Sequence, residues 1–375
     1  MKKRNKMNKL LTLTLSLAMT LSLAACGGGT GTASKPSVSG SGSPAQSQTG
    51  SNSGAQQSNS GTTYKVGIVK FMDHASLNQI EDSLQAELDK LGGEMGVTFS
   101  YANYTACGQG DGSTLQAIAA QMVSDDVDVI VPIATPAVQT TMATTEDTDI
   151  PIIFSAVSDP ITDGIVADMN APGGKTTGTS DALNTKMVID LMLAANPDLQ
   201  KVGLLYSKSE GSSTKPIQEA KEYLASLNIA VEEKTGTNTN EITSAVDALA
   251  AAKVDAVFTP TDNTVQSAEL AIFEKLQDAK IPHYGGADSF ALNGAFCGYG
   301  VDYVQLGQET AQMVADLLVN GADTAVTPVR IMTAENAVIN TETCAAIGMD
   351  LDQIKSAFSA LGINVIETTT QQSFS

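Results

Sequence analysis

The sequence contains no tryptophan, two histidines and four cysteines among its 375 residues. The histidines, His74 and His283, are too few and too isolated to predict a histidine-based metal centre. No two cysteines have the Cys-x-x-Cys spacing, so the sequence indicates neither a zinc site nor a disulfide framework, although one disulfide is possible. We therefore expect no metal and no cofactor.

Catalytic motifs are also scarce. The chain has no Gly-x-Ser-x-Gly elbow, no phosphate-binding loop and no HExxH zinc motif. Two histidines leave few choices for a catalytic triad. We therefore predict that the protein is not an enzyme.

Positive charge is scarce relative to negative charge. The chain has 21 Lys and Arg against 41 Asp and Glu, a net charge of −20 at pH 7. A surface of this sign repels nucleic acid and anionic lipid headgroups, which argues against both as direct partners. Arginine is the rarest cation, because Arg330 is the only one after residue 25.

Long apolar runs are confined to the N-terminus. A basic start precedes an apolar run from Leu10 to Ala25, which is too short and too rich in Thr and Ser to span a bilayer. The run ends in Leu-Ala-Ala before Cys26, which resembles the bacterial lipoprotein box, where the signal peptide is cleaved before a lipid-bearing cysteine. The pattern predicts a signal peptide over residues 1–25 and an extracytoplasmic protein tethered to the cell membrane by lipid on Cys26.

Residues 26–62 consist almost wholly of Gly, Ser, Thr, Gln, Ala, Asn and Pro. Such a stretch buries too little apolar surface to offset its ordering entropy, so we predict a disordered tether. The remaining chain of about 300 residues is long enough for two domains.

The rest of the chain alternates between predicted strands and amphipathic helices. The strands are predicted at 64–72, 97–104, 127–134 and 150–157, and the helices over 76–91, from Ser113 and from Pro136. This alternation indicates an α/β protein whose parallel sheets are covered by helices on both faces.

The same order of elements recurs further along the chain. KVGIV at 65–69 is echoed by KVGLL at 201–205, and VDVIVPIATPAVQ at 127–139 by VDAVFTPTDNTVQ at 254–266. The repeat predicts two lobes of similar topology. Because ligands of open parallel sheets bind beyond the carboxyl ends of the strands, we expect a cleft between the two sets of strand-end loops.

Several segments carry a resemblance to a known family. FMDHASL, IATPA, AVSDP, GTSD, PTDNTV and GYGVDYVQLGQ occur in an order that resembles the substrate-binding lipoproteins of tryptophan/tyrosine-type ABC importers. The resemblance implies a type I periplasmic-binding fold with two Rossmann-like lobes, a small ligand clamped between them, and three hinge crossings near 179–181, 300–303 and 327–331. Lobe I would comprise residues 64–181 and 302–328, and lobe II residues 182–301 and 329–368. The chain departs from the family at residues 210–213, which read EGSS where members usually have EANS.

The candidate ligand-binding residues lie in loops that follow predicted strands, or at a hinge crossing. They are Asp73, His74, Thr135, Ser158 and Asp159 in lobe I, Ser209, Glu210, Ser212, Ser213, Thr261, Asp262, Asn263 and Asp288 in lobe II, and Tyr303 at the crossing. Helix-start amides and hydroxyls suit a carboxylate where arginine is scarce, and an acidic loop suits an ammonium group. An amino acid therefore fits the set. Asp159 and Asp262 could instead be turn formers or helix caps, and His74 a loop residue at the cleft rim.

The expected function is to bind a small molecule and deliver it to an ABC permease with a cytoplasmic ATPase. An amino acid is the expected ligand, and the resemblance alone suggests an aromatic one. The alternatives are a nucleoside or sugar binder, although the lack of tryptophan counts against a sugar, and a ligand-sensing module for a membrane receptor kinase. A secreted hydrolase is disfavoured by the missing motifs.

Overall fold

The computed structural model describes residues 61–371. The predicted signal peptide, Cys26 and all but the last two residues of the predicted tether lie outside this range. Within it, the chain forms two seven-stranded sheets of mostly parallel strands flanked by helices, which confirms the predicted α/β class. No helix between residues 61 and 371 is long and apolar enough to cross a bilayer.

The elements follow one another in three runs along the chain. The first run is β1 (Thr63–Lys70), α1 (Ala75–Met95), β2 (Thr98–Ser100), β3 (Thr105–Cys107), α2 (Gly112–Ser124), β4 (Val129–Ile133), α3 (Thr135–Thr144), β5 (Ile152–Phe154) and β6 (Thr176–Ser180). The second is α4 (Thr185–Ala195), β7 (Lys201–Tyr206), α5 (Gly211–Ser226), β8 (Ala230–Thr235), α6 (Thr239–Ala251), β9 (Ala256–Thr259), α7 (Asn263–Asp278), β10 (His283–Gly285), α8 (Asp288–Leu292) and β11 (Cys297–Tyr299). The third is α9 (Tyr303–Leu318), β12 (Arg330–Ile331), β13 (Asn336–Asn340), α10 (Thr341–Ile347), α11 (Leu351–Ala360) and β14 (Asn364–Thr368).

Each sheet belongs to one lobe. The lobe I sheet has the order β12-β6-β5-β4-β1-β2, with β3 also paired to β1, and all of its pairs are parallel. The lobe II sheet has the order β14-β13-β11-β10-β9-β7-β8, in which only β11 and β13 run antiparallel. The two halves therefore share a parallel βαβ plan.

The chain passes between the two sheets three times, after β6, after β11 and after β12. The third passage lies at 332–335, later than the expected 327–331. The reason is that Arg330 and Ile331 pair with Thr179 and Ser180 of β6 and so still belong to the lobe I sheet. A second difference concerns the strand expected at 97–104, which is interrupted by a turn in which the Tyr104 amide donates to the Tyr101 carbonyl.

The helices form where apolar residues recur at helical spacing. In α1, Leu77, Ile80, Leu84, Leu88 and Leu91 lie on one face and are buried. This face packs in the lobe I core together with α9, whose buried residues include Leu306 and Val314. The helix expected from Ser113 is α2, in which Leu115, Ala119 and Met122 are buried.

The contact between α1 and α9 depends on a glycine. A Cβ atom on Gly307 would lie 2.6 Å from the Ile80 carbonyl oxygen and closer still to Ser83 Oγ. We expect Gly307→Ala to lower the free energy of unfolding by about 1–3 kcal/mol, because the two helices must move apart. Urea unfolding measures this change.

The matched control is Gly93→Ala in α1, where the added Cβ meets nothing within 4 Å. Since alanine favours helix more than glycine does, this change should raise the free energy of unfolding by up to about 1 kcal/mol. Equal effects of the two substitutions would contradict the close approach of the helices.

Candidate ligand-binding cleft

A small cavity lies between the lobes, at the carboxyl ends of both sets of parallel strands. Lobe I lines it with His74, Thr135 and Ser158, and lobe II lines it mainly with Ser212, Thr261, Asp262 and Asn263. Asp181 and Tyr303, which lie beside two of the passages between the lobes, complete the polar wall. The enclosed volume is about 20 Å³, roughly enough for one water molecule.

The lobes are closed on each other around this cavity. His74 Nε2 lies 2.9 Å from Asn263 Oδ1, and Ser158 Oγ lies 3.0 Å from Thr261 Oγ1. At the rim, Lys215 Nζ lies 3.2 Å from Asp159 Oδ2. Each contact joins a residue of lobe I to a residue of lobe II, so these contacts exist only while the cleft is shut.

His74 lines the cavity and has one unpaired ring nitrogen. It occupies the position before α1 with an extended backbone, and its side chain does not cap the helix. Nδ1 is buried and has no hydrogen-bond partner in the described part of the chain. Burial lowers the pKa of His74 to about 4, and the nearby Lys70 ammonium acts in the same direction. The imidazole is therefore neutral at pH 7, with one nitrogen as donor and the other as acceptor.

Asn263 is held in place from behind by Glu210. Glu210 is 4% exposed, and its Oε2 accepts a 2.8 Å hydrogen bond from Asn263 Nδ2. Its Oε1 accepts from the amide and the hydroxyl of Thr264, at 3.2 and 2.9 Å. Burial and repulsion by the Asp262 carboxylate raise the pKa of Glu210 to about 7. Glu210 thus supports a cavity residue and does not line the cavity itself.

Asp181 is the carboxylate at the side of the cavity next to the passages. It is 5% exposed, and its two oxygens accept hydrogen bonds from Ser158 Oγ at 2.9 Å and from Tyr303 OH at 3.0 Å. Burial raises its pKa, while both hydrogen bonds act against that rise. A cation bound in the cavity would favour its ionised form.

Asp262 also lines the cavity but acts as a helix cap. Its oxygens accept hydrogen bonds from Val265 N at 2.9 Å, Ser207 N at 2.7 Å and Ser213 Oγ at 2.6 Å. The capping alternative for this residue is therefore the one that the structure shows. Ser213, a candidate itself, supports Asp262 from behind the cavity.

Two strained alanines shape the lobe I wall. Ala134 and Ala156 have φ angles of 78° and 57°, a region that residues with a Cβ rarely adopt, and both line the cavity. Next to Ala134, Thr135 has a buried hydroxyl without a partner at the start of α3. Backbone strain of this kind is concentrated at ligand sites, because the surrounding fold holds it in place.

The remaining candidates do not line the cavity. Asp73 is paired with Lys70 Nζ at 2.9 Å, and Asp159 accepts from the Thr162 amide at 3.3 Å as a turn former. Ser209 lies 2.7 Å from Ser207 Oγ, and Asp288 faces a separate groove beside the passages.

Several cavity residues were missed by the sequence analysis. They are Ser76, Leu77, Ala134, Ala156, Asp181, Gln266, Ala287 and Phe290. Asp181 had been assigned to a hinge crossing, and its position at the end of a predicted strand was the available signal. Phe290 gives no comparable signal, since an aromatic residue in a short helix is indistinguishable from a core residue.

Two residues of α5 have the spacing of a catalytic motif without its geometry. Ser212 and Lys215 have the Ser-x-x-Lys spacing of some acyl-transfer enzymes. However, Ser212 Oγ donates to the Thr261 carbonyl at 3.0 Å, and Lys215 pairs with Asp159, so the two side chains do not form a nucleophile–base pair. Cys107, Cys297 and Cys344 are all free, and no three His, Cys, Asp or Glu side chains within 61–371 are grouped to hold a metal ion.

Comparison with known proteins identifies the family. Residues 65–358 match the family of ABC transporter substrate binding proteins. The chain belongs to this family. It is 30% identical over 301 residues to a "Tyrosine-binding protein" of Clostridioides difficile, which covers 79% of this chain and 86% of the relative.

Two solved structures of similar sequence differ in how well they superpose on the structure of this chain. An ABC domain from Streptococcus pneumoniae in complex with L-Trp is 31% identical, with a TM-score of 0.73 over 81% of this chain and 100% of the other. A ligand-free, open substrate-binding protein with adhesive properties from Clostridium difficile is 29% identical, with a TM-score of 0.61 over 82% and 100%. Identity and coverage are nearly equal, and this structure superposes better on the L-Trp complex than on the ligand-free, open protein. Both relatives confirm the type I periplasmic-binding fold.

Closure of the cleft can be tested by introducing a bulky side chain at its rim. A Cβ on Gly211, the first residue of α5, would lie 3.0 Å from Asp163 Oδ1 of the opposite lobe. We expect Gly211→Leu to hold the lobes apart, which small-angle scattering would record as a larger radius of gyration. Gly112→Leu, at the first residue of α2 with nothing within 4 Å, should leave the radius unchanged. An unchanged radius for both variants would contradict a closed cleft in solution.

Proposed function

We propose that this substrate-binding protein takes an amino acid between its lobes and delivers it to an ABC permease. The observation that carries the proposal is the pairing, in one cavity, of a buried carboxylate with unpaired neutral polar atoms and an aromatic wall. An amino acid has matching groups for each of these: an ammonium, a carboxylate and a side chain.

Asp181 is the proposed partner of the ligand ammonium group. Each of its oxygens accepts one hydrogen bond from the protein and has a second lone pair available. It is buried, so an ammonium group beside it would be attracted in a medium of lower dielectric than water. Ser158 and Tyr303 hold the carboxylate in a fixed orientation, which lowers the entropic cost of binding.

The ligand carboxylate would be held without arginine. Arg330 is engaged with Glu309 at 2.7 Å and with Asp316 at 3.1 Å. The start of α3 offers the buried Thr135 hydroxyl, which has no partner within residues 61–371, and the positive end of the helix dipole. Pro136 has no N–H and the amides of Ala137 and Val138 donate to the Ala134 carbonyl, so the dipole and the hydroxyl would attract the anion here.

An aromatic side chain fits the rest of the wall. Phe290, Leu77 and Tyr303 are the largest apolar side chains among the residues that line the cavity. The names of the relatives, one a tyrosine-binding protein and one in complex with L-Trp, support the same class of ligand. Because the cavity of about 20 Å³ is far smaller than any amino acid, the ligand must enter while the cleft is open.

The place of action follows from the N-terminal sequence. We propose that residues 1–25 direct export and that Cys26 carries the lipid that keeps the protein at the outer face of the cytoplasmic membrane. A tether would let the folded body reach a permease in the same membrane.

Ligand class is tested by titration calorimetry with amino acids, nucleosides and sugars. We expect L-tyrosine, L-tryptophan or L-phenylalanine to bind. Asp181→Asn should weaken that binding by about 10–100-fold, because a charged hydrogen bond is worth about 1.5–3 kcal/mol. Asp82→Asn, on the exposed face of α1, is the control and should bind as the wild type does. Binding of nucleosides or sugars in place of amino acids would overturn the proposed ligand.

Anchoring is tested separately, with radioactive palmitate fed to cells that make the full precursor. The wild type should incorporate label and stay with the membrane fraction. Cys26→Ser should lose both, because serine cannot be lipidated at this position. Cys107→Ser should keep both, and label retained by Cys26→Ser would contradict the lipid anchor.

A further inference from the structure

Three side chains form a hydrogen-bonded chain from the interior of lobe II to the cavity wall of lobe I. Glu210 accepts from Asn263 Nδ2 at 2.8 Å, and Asn263 Oδ1 lies 2.9 Å from His74 Nε2. The last of these contacts crosses the cleft. Glu210 and Asn263 are 4% and 8% exposed, so water has little access to replace their partners.

The ionisation state of Glu210 dictates which group donates in both hydrogen bonds, the one between Glu210 and Asn263 and the one between Asn263 and His74. An ionised carboxylate can only accept, so the NH₂ group of Asn263 must face Glu210. The Asn263 oxygen must then face His74, and His74 Nε2 must carry the ring proton. His74 Nδ1, which is buried and has no hydrogen-bond partner among residues 61–371, is left as a bare acceptor on a residue that lines the cavity.

We propose that Glu210 is a positioning residue that sets the tautomer of His74 through Asn263, and thereby fixes His74 Nδ1 as the acceptor for a hydrogen-bond donor of the ligand. The inference rests on the proposed function in one respect, namely that the ligand occupies this cavity. The donor suited to Nδ1 is an N–H group of an amine, which lies within the ligand class proposed above.

When Glu210 is protonated, the same three side chains must reverse the direction of their hydrogen bonds. A proton taken from solvent onto Glu210 Oε2 makes that oxygen a donor, so the Asn263 amide must rotate and present its oxygen to Glu210. Its NH₂ group then donates to His74 Nε2, and the ring loses its proton there and gains one at Nδ1. Nδ1 becomes a donor, which repels an amine and attracts a carboxylate.

Glutamine at position 210 reproduces this second state without any change of pH. The amide and hydroxyl of Thr264 both donate to Oε1, so the oxygen of a glutamine must lie there. Its NH₂ group then faces Asn263 and forces the same rotation. Glu219→Gln is the matched control, because Glu219 is an exposed residue of α5, the helix that begins directly after Glu210.

The tautomer can be read directly by ¹⁵N NMR of the histidine rings in ligand-free protein in which a disulfide between Asp163→Cys and Gly211→Cys holds the cleft shut, in the wild-type background and in each variant, because the contact between His74 and Asn263 exists only in the closed cleft. The chain has only two histidines, and the signal that disappears in His74→Gln is that of His74. We expect the Nε2–H form at pH 8 in the wild type and in Glu219→Gln, and the Nδ1–H form in Glu210→Gln. The Nδ1–H form in the wild type at pH 8, or an unchanged tautomer in Glu210→Gln, would overturn the proposal.

A pH titration of the disulfide-closed wild-type background gives an independent test that needs no change at position 210. Burial and the neighbouring Asp262 carboxylate raise the pKa of Glu210 to about 7, whereas the other charges near His74 are Lys70 and Asp73, which are paired with each other. The tautomer should therefore change from Nε2–H to Nδ1–H as the pH falls through about 7, well above the pKa of His74 itself. In Glu210→Gln, the Nδ1–H form should persist from pH 8 to pH 6.

The link to the ligand is tested by calorimetry with L-tyrosine and L-tryptophan at pH 8. We expect Glu210→Gln to weaken binding of whichever binds by about 10–100-fold, since an acceptor for a charged donor is replaced by a donor. A reversed tautomer with unchanged affinity would overturn the role of Nδ1 in binding. If the wild type binds no amino acid at all, the proposed function fails, while the NMR result still decides whether Glu210 sets the tautomer.

Discussion

The structure depends on one constraint: polar groups that are buried between the lobes need partners from across the cleft. Asn263 supplies one for His74 and Thr261 one for Ser158, but His74 Nδ1 and the Thr135 hydroxyl have none. Leaving such groups unpaired costs about 1–3 kcal/mol each. A ligand that supplies the missing partners therefore stabilises the closed form specifically, and closure and binding become one event.

The fold places Asp181 and Tyr303 where ligand binding can act on the hinge between the lobes. Parallel strands direct their following loops to one edge of each sheet, so two lobes of the same plan confront each other with two sets of loops. Asp181 and Tyr303 lie beside passages between the lobes and are hydrogen-bonded to each other at 3.0 Å. A ligand that contacts Asp181 thus acts directly on the hinge as well as on the lobe faces.

The sequence predicted the two lobes because their repeat is visible in the chain itself. Thr135 and Asp262 occupy equivalent positions in the repeated segments, and both line the cavity. The roles of the aspartates in the strand-end loops could not be distinguished from the repeat, since Asp caps helices, forms turns and binds amines with the same side chain. Only the three-dimensional structure separates Asp262, a cap, and Asp159, a turn former, from Asp181, whose partners lie in distant parts of the chain. The interrupted strand at 97–104 and the late third passage depend on pairing partners that are likewise remote in sequence.

A crystal structure with a bound aromatic amino acid tests the central claim most directly. The account predicts the ligand between the lobes, in contact with both, with its amino group within hydrogen-bonding distance of Asp181 and His74 Nδ1. An amino acid bound to one lobe only, or in the groove beside the passages, would contradict the claim that closure and binding are one event.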